Sequence, residues 1–203
     1  MPKSIKIFVI FLLIAIDVGC SEKSATICES CTEAKRHHQW CEACGVGYVA
    51  GVAIPSRLLF ETLDAHGHDL DLRSIFCPTC RSAIESDGFC AACKIGWFNK
   101  QAYFSRLTYW LAQGESRDKA GLTCERCRKL TGQAEWCDSC GVGSVGNVAF
   151  RDRAAYEAAR PEYERLRAAV KTLDRCEYCA VALWTDTTCF DCKITYQDGK
   201  PVP

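Results

Sequence analysis

Apolar positions in this chain fall into three patterns: an unbroken run near the start, two helical stripes in the middle, and four short alternating stretches. Residues 48–54, 97–103, 144–150 and 196–202 alternate or cluster β-branched and aromatic residues around a turn, with Asp198-Gly199 at the last one, and predict strand-turn-strand elements. Tyr103, Phe104, Leu107, Trp110 and Leu111 share one helical face that Gly114 ends, and Tyr163, Leu166, Val170 and Leu173 form a second stripe after Pro161. Ser56 can cap a shorter helix running to Leu63, which His66-Gly67-His68 breaks. These stripes are expected to cover elements too small to bury a core alone.

The unbroken run occupies residues 7–16, behind Lys3 and Lys6 and ahead of Asp17. A bilayer crossing needs about 20 apolar residues, so the segment reads as a signal peptide over residues 1–19. Its end, Val18-Gly19-Cys20, resembles the lipobox of bacterial lipoproteins, although that family places an aliphatic residue where Asp17 stands. The resemblance implies a lipid on Cys20 and a chain anchored in the cell envelope. A simple secretory signal and a cytosolic location are the alternatives.

Seventeen cysteines in 203 residues change the picture, since so many signal a disulfide scaffold or a set of metal sites. Sixteen obey one rule, Cys-x2-Cys-x9-Cys-x2-Cys, and Cys20 is the one left over. The copies are Cys28, Cys31, Cys41 and Cys44; Cys77, Cys80, Cys90 and Cys93; Cys124, Cys127, Cys137 and Cys140; and Cys176, Cys179, Cys189 and Cys192. The first and third share Trp-Cys-x2-Cys-Gly-Val-Gly, the second and fourth share Cys-Lys-Ile, and the order A, B, A, B is what duplication of a two-unit segment leaves.

Two cysteines separated by two residues can aim both sulfurs at one point, and two such pairs complete a tetrahedron around zinc at about 2.3 Å. Four protein ligands close the site, which makes it structural. The nine intervening residues are expected to form a short out-and-back hairpin. The chain at this point resembles the zinc-ribbon fold group, whose members hold two such knuckles over a small three-stranded sheet. The expected fold is therefore a small metal-stabilised α+β array: four tandem zinc ribbons of short antiparallel hairpins and knuckles, joined by helical linkers. Ribbons are expected at 28–54, 77–104, 124–150 and 176–203, a tether at 20–27, and linkers at 55–76, 105–123 and 151–175. The expected cofactor is zinc, four per chain. Iron suits tetrahedral sulfur as well, and disulfides are the alternative in an oxidising compartment. No Cys-x-x-Cys precedes a His, which removes c-type haem attachment.

Charge argues against nucleic acid. Lys+Arg and Asp+Glu balance at 25 each, and loss of residues 1–19 leaves the chain near minus one. Four zinc tetrathiolates, each of formal charge minus two, bring the total to about minus nine, opposite to a nucleic-acid footprint. The cluster Arg126-Cys127-Arg128-Lys129 reads as a solvated face. His66, His68, Asp69 and Asp71 faintly resemble the His-x-His-x-Asp-His motif of metallo-hydrolases, but Leu70 and Asp71 stand where its aspartate and last histidine belong, so an exposed loop is expected. His37-His38 is expected inside the first hairpin. No nucleophile elbow or phosphate loop is present, and no enzymatic activity is expected. The expected function is a structural or protein-interaction module with a protein partner and a lipid anchor. A metal-handling or thiol-redox protein is the second reading, and a cytosolic zinc-ribbon adaptor of transcription or translation machinery the third.

Overall fold

A cysteine opens four of the helices in the computed structural model, which describes residues 28–202. The expected signal peptide, tether and lipidated Cys20 lie outside the described residues. Cys28, Cys77, Cys124 and Cys176 each occupy the N-cap of a helix: α1 (Glu29–His37), α3 (Pro78–Glu85), α5 (Glu125–Leu130) and α7 (Glu177–Thr185). The first cysteine pair of each copy thus straddles a helix N-terminus, and the expected out-and-back hairpin between the pairs is corrected to a helix and a turn. The reason is local. An N-cap needs extended backbone, and the residues that follow have no alternating apolar pattern to recruit them into a sheet.

Each helix leads into an antiparallel sheet. In the first unit β1 (Trp40–Cys41), β2 (Val46–Val49) and β3 (Val52–Ile54) pair in that order, and in the second β4 (Phe89–Cys90), β5 (Ile95–Phe98) and β6 (Gln101–Tyr103) do the same. The third unit adds an edge strand. Its order is β7 (Glu115–Ser116), β10 (Val148–Phe150), β9 (Val142–Gly146) and β8 (Gln133–Cys137). The fourth keeps only β11 (Thr195–Gln197) and β12 (Lys200–Val202). All four expected strand-turn-strand segments are present. The turn of the second unit, Asn99-Lys100, is exposed, with both residues in the left-handed region.

Three further helices follow the hairpins: α2 (Arg57–Leu63), α4 (Arg106–Ala112) and α6 (Arg153–Thr172). Ser56 caps α2 as expected, its hydroxyl accepting from the Leu59 N–H at 2.9 Å. The expected helical face beginning at Tyr103 is corrected, because Tyr103 completes β6 and Phe104 is exposed; the helix begins at Arg106 behind the Ser105 cap. The stripe expected only after Pro161 is also longer. Asp152 caps α6 by accepting from Ala154 and Ala155, both at 3.1 Å, and Pro161 sits inside the helix.

The copies are not beads on a string. One core unites Val49, Ile54, Leu59 and Leu63 of the first unit, Leu107 and Leu111 of α4, Val145, Val148 and Phe150 of the third unit, Tyr163 and Leu166 of α6, and Ala180 and Leu183 of α7. The second unit has a small core of its own around Cys80, Cys90, Trp97 and Ala102. Helices expected to be spacers are the centre of the fold, since each sheet is too small to bury a face without one. Among the described residues no helix is long and apolar enough to cross a membrane.

Candidate metal centres

Each copy brings its four sulfurs together. Cys28/Cys31/Cys41/Cys44, Cys77/Cys80/Cys90/Cys93, Cys124/Cys127/Cys137/Cys140 and Cys176/Cys179/Cys189/Cys192 each hold their donor atoms within 4.8 Å of one another. Sulfur–sulfur distances across the pairs are 3.9 Å for Cys28 and Cys41, 3.9 Å for Cys77 and Cys90, and 3.8 Å for Cys176 and Cys189. Four sulfurs at about 2.3 Å from a central ion lie about 3.8 Å apart at the corners of a tetrahedron, while a disulfide needs about 2.05 Å. The spacing therefore fits a tetrahedral ion.

Two devices aim the sulfurs. The first pair uses the helix start, where free N–H groups and the positive end of the helix face the thiolate; the Cys179 N–H donates to the Cys176 sulfur at 3.3 Å. The second pair sits on a tight turn between strands, where the Cys192 N–H donates to the Cys189 sulfur at 3.4 Å. The residue after each last cysteine must be left-handed, at φ 63° for Gly45, 58° for Lys94, 61° for Gly141 and 57° for Lys193. Glycine meets that demand in the A copies without strain. In the B copies a lysine accepts it, and the Lys193 ammonium lies over the Phe190 ring at 4.7 Å.

The electrostatics call for a cation. The Cys31 backbone N–H and the Cys44 thiol bring Cys28 down to about 7, the Cys80 N–H and the Cys93 thiol bring Cys77 to about 6, and the Cys127 N–H and the Cys140 thiol bring Cys124 to about 7. Their neighbours move the other way. Cys44 is pushed up to about 12 by the surrounding thiols, and burial pushes Cys80, Cys127 and Cys179 up to about 12. Four sulfurs this close cannot all ionise unless positive charge is placed among them.

Four residues after the last cysteine stands a side chain aimed at the second sulfur. The Tyr48 hydroxyl lies within hydrogen-bonding reach of Cys31 and the Tyr196 hydroxyl within reach of Cys179. The Trp97 indole N–H is buried without a well-aligned partner and lies against Cys80, whose pKa it lowers. The third copy departs from this. Its equivalent residue is Ser144.

The repeat also extends past the cysteine blocks. Twelve residues after Cys44, Cys93 and Cys140 stand Ser56, Ser105 and Asp152, each followed by an arginine and, three residues later, an aromatic. Arg57 lies over Trp40 at 4.9 Å, Arg106 over Phe89 at 5.0 Å and Arg153 over Trp136 at 5.0 Å. Phe60, Tyr109 and Tyr156 rest on Gly47, Gly96 and Gly143, where an added Cβ would come within 2.2, 2.2 and 2.4 Å of the ring. Each sheet is thus clamped by the next helix through a guanidinium and a ring. In the fourth unit Thr188 and Thr195 stand where the strand-paired Trp40 and Gly47 stand in the first, and their hydroxyls bond at 2.9 Å. In sequence these segments read as linkers; the signal of the clamp is the cap residue and arginine at a fixed offset from the last cysteine of three copies.

The remaining candidates separate. Arg126 pairs with Asp138 at 3.7 Å and Lys129 with Glu125 at 2.8 Å on an exposed face. His37 ends α1 and pairs with Glu33 at 3.4 Å, while His38 is its left-handed C-cap at φ 55°, so neither lies in a hairpin. His38 is largely buried, and burial, with the charge of His37, brings it down to about 4. Asp71 caps a short 3-10 turn and pairs with Arg73 at 3.0 Å, apart from the two histidines. His66 and His68 converge instead on Asp64, at 3.4 and 2.8 Å.

Comparison with protein-family models, with curated proteins and with solved structures finds no match to this chain.

Proposed function

We propose that this chain is a zinc-binding structural and protein-interaction module, held to the cell envelope by a lipid on Cys20. The observation that carries the proposal is the closure of each quartet: all four corners of the tetrahedron are protein sulfurs, so an ion there has no open position for a substrate and serves to hold helix start and knuckle together. Zinc is the ion best matched to four thiolates in that geometry, with iron second. A protein partner is supported by aromatic surface that the core leaves exposed, notably Phe76 and the Tyr178–Phe190 pair, whose rings are 6.1 Å apart. The reading includes no catalytic role. The lipid anchor rests on the lipobox-like Val18-Gly19-Cys20 alone.

A second reading, as a metal-handling or thiol-redox protein, is favoured by one feature. Cys44, Cys93, Cys140 and Cys192 are exposed while their partners are half-buried or buried, so each centre offers one sulfur to a competing ligand or oxidant.

Intact mass and metal content, measured on protein taken from its native membrane fraction, test both. Four zinc ions per chain, slow to leave under a chelator, with a diacylglyceryl group on Cys20, are expected. Rapid zinc exchange favours the second reading. A metal-free chain lighter by sixteen hydrogens carries eight disulfides and overturns the chemistry, and an unlipidated N-terminus that retains residues 1–19 overturns the anchor.

A further inference from the structure

Behind the last turn of α2 the chain makes a second kind of donor cluster, with nitrogen and oxygen in place of sulfur. Asp64 is the left-handed C-cap of α2, at φ 46° and ψ 65°. Its carboxylate receives His66 through Nδ1 at 3.4 Å and His68 through Nε2 at 2.8 Å, and the three donor atoms lie within 4.8 Å of one another. Three ligands at about 2.0–2.1 Å from a tetrahedral ion sit about 3.3 Å apart, so the cluster is already near the spacing an ion would impose.

The cluster is held by the fold. His68 is bridged to Ala102 in both directions, its N–H donating to the Ala102 carbonyl and its carbonyl accepting from Ala102, each at 2.9 Å. The Phe104 ring packs on His68 at 4.8 Å between centroids, and the His66 ring lies 4.3 Å from that of His68. Gly67 lets the loop press on β6, since an added Cβ would stand 2.6 Å from the Gln101 side-chain oxygen and 3.0 Å from Tyr103. Asp64 and His68 are about three-quarters covered, while His66 faces solvent at 71% exposure, which leaves an approach for an ion.

We infer that Asp64, His66 and His68 form a fifth metal site, for a single divalent first-row transition ion of the zinc, nickel or copper class. Two imidazoles and one carboxylate suit such ions and not magnesium or calcium, which take oxygen ligands. Three protein ligands leave at least one position open, in contrast with the closed cysteine quartets. The ion here is therefore exchangeable and accessible to a fourth ligand from solvent or from a partner. His37 and Glu33 show what an incidental pair looks like: a 3.4 Å contact between two exposed side chains, with Arg36 on the same carboxylate and no third metal-ligating group converging on them among the described residues.

The test is calorimetric titration of Ni2+ into the full chain loaded with four equivalents of zinc, enough for the cysteine quartets alone, with zinc content read before and after. One Ni2+ per chain is expected, without release of zinc. His66→Ala and Asp64→Asn should each weaken it at least about tenfold, and His37→Ala should leave it unchanged. Asn tolerates the left-handed C-cap and His66 is exposed, so both variants are expected to keep their melting temperature and zinc content. Absence of Ni2+ binding beyond the zinc complement, or binding unmoved by His66→Ala and Asp64→Asn, overturns the inference. The zinc count is read in the same experiment, so failure of this site is distinguishable from failure of the cysteine centres.

Discussion

The Asn147 N–H donates to the Ala50 carbonyl at 3.1 Å, and this bond joins the hairpin tips of the first and third units. The Asn147 side chain adds a second tie, its amide donating to the Lys35 carbonyl at 3.2 Å. Gly146 sits between them at φ 61°, where an added Cβ would fall 1.8 Å from the Ala50 oxygen. Gly146→Ala is therefore expected to destabilise the zinc-loaded protein by about 3 kcal/mol. Gly141 has the same φ with open space around it, so Gly141→Ala should cost only about 1 kcal/mol. Denaturant unfolding of the pair reads the difference; equal losses would mean that the tips separate without penalty.

That contact was illegible in the sequence, while much around it was not. The sixteen cysteines, the four hairpins and the Ser56 cap could be read because each depends on a few neighbouring residues whose chemistry leaves little choice. Residues 29–37 could not, since only Ala34 of that helix is buried and one short helix carries too few apolar positions to reveal a period. Pro161 misled for a different reason. Proline usually opens a helix, but here the capped Asp152 and a buried face of Tyr156, Ala159, Tyr163 and Leu166 carry α6 across it. Asp64 escaped notice as a partner of His66 and His68 because helix-end geometry, not sequence proximity to a motif, turns it toward them.

Loss of a single ligand should be local in stoichiometry. Cys137→Ser removes a buried sulfur of the third quartet, and native mass spectrometry is expected to report three zinc ions in place of four. Cys137 lies in a small cluster with Cys127 and Leu130, but Ala134 and Trp136 of its own strand β8 pack on the common core, so the melting temperature should fall more than for Cys90→Ser, whose cluster stands apart from that core. A drop of the same size in both would contradict the shared core.

Among the four centres the third should give up its ion first. Tyr48, Trp97 and Tyr196 each present a donor to the second thiolate of their own quartet, lowering its charge and its nucleophilicity, and Ser144 stands at that place in the third. Under a chelator, or a mild thiol-directed alkylating reagent, peptides bearing Cys124 to Cys140 are expected to react earliest, and Tyr196→Phe should speed the fourth site toward the same rate. Uniform loss across all four would show that these donors do not set lability.

His38 carries a pH dependence of definite sign. Burial holds it down to about 4 in the folded chain, against an ordinary value of about 6.5. The unfolded chain binds the extra proton between those values, so the stability His38 contributes is complete above about pH 6.5 and is lost as pH falls toward 4. In zinc-saturated protein, His38→Asn, which suits the left-handed backbone there, should flatten the decline in stability across that window. An unchanged slope would assign the acid sensitivity to thiolate protonation alone.

The second hairpin ends differently from the first and third. Asn99 and Lys100 point into solvent, with the Asn99 N–H held by the Asp87 carboxylate at 2.8 Å, and the turn is tied only to its own unit. It is thus the place where the chain can carry foreign sequence: an epitope tag or fluorophore inserted between residues 99 and 100 would leave the common core untouched, whereas the same cargo between residues 50 and 51 or 146 and 147 would pry the molecule open.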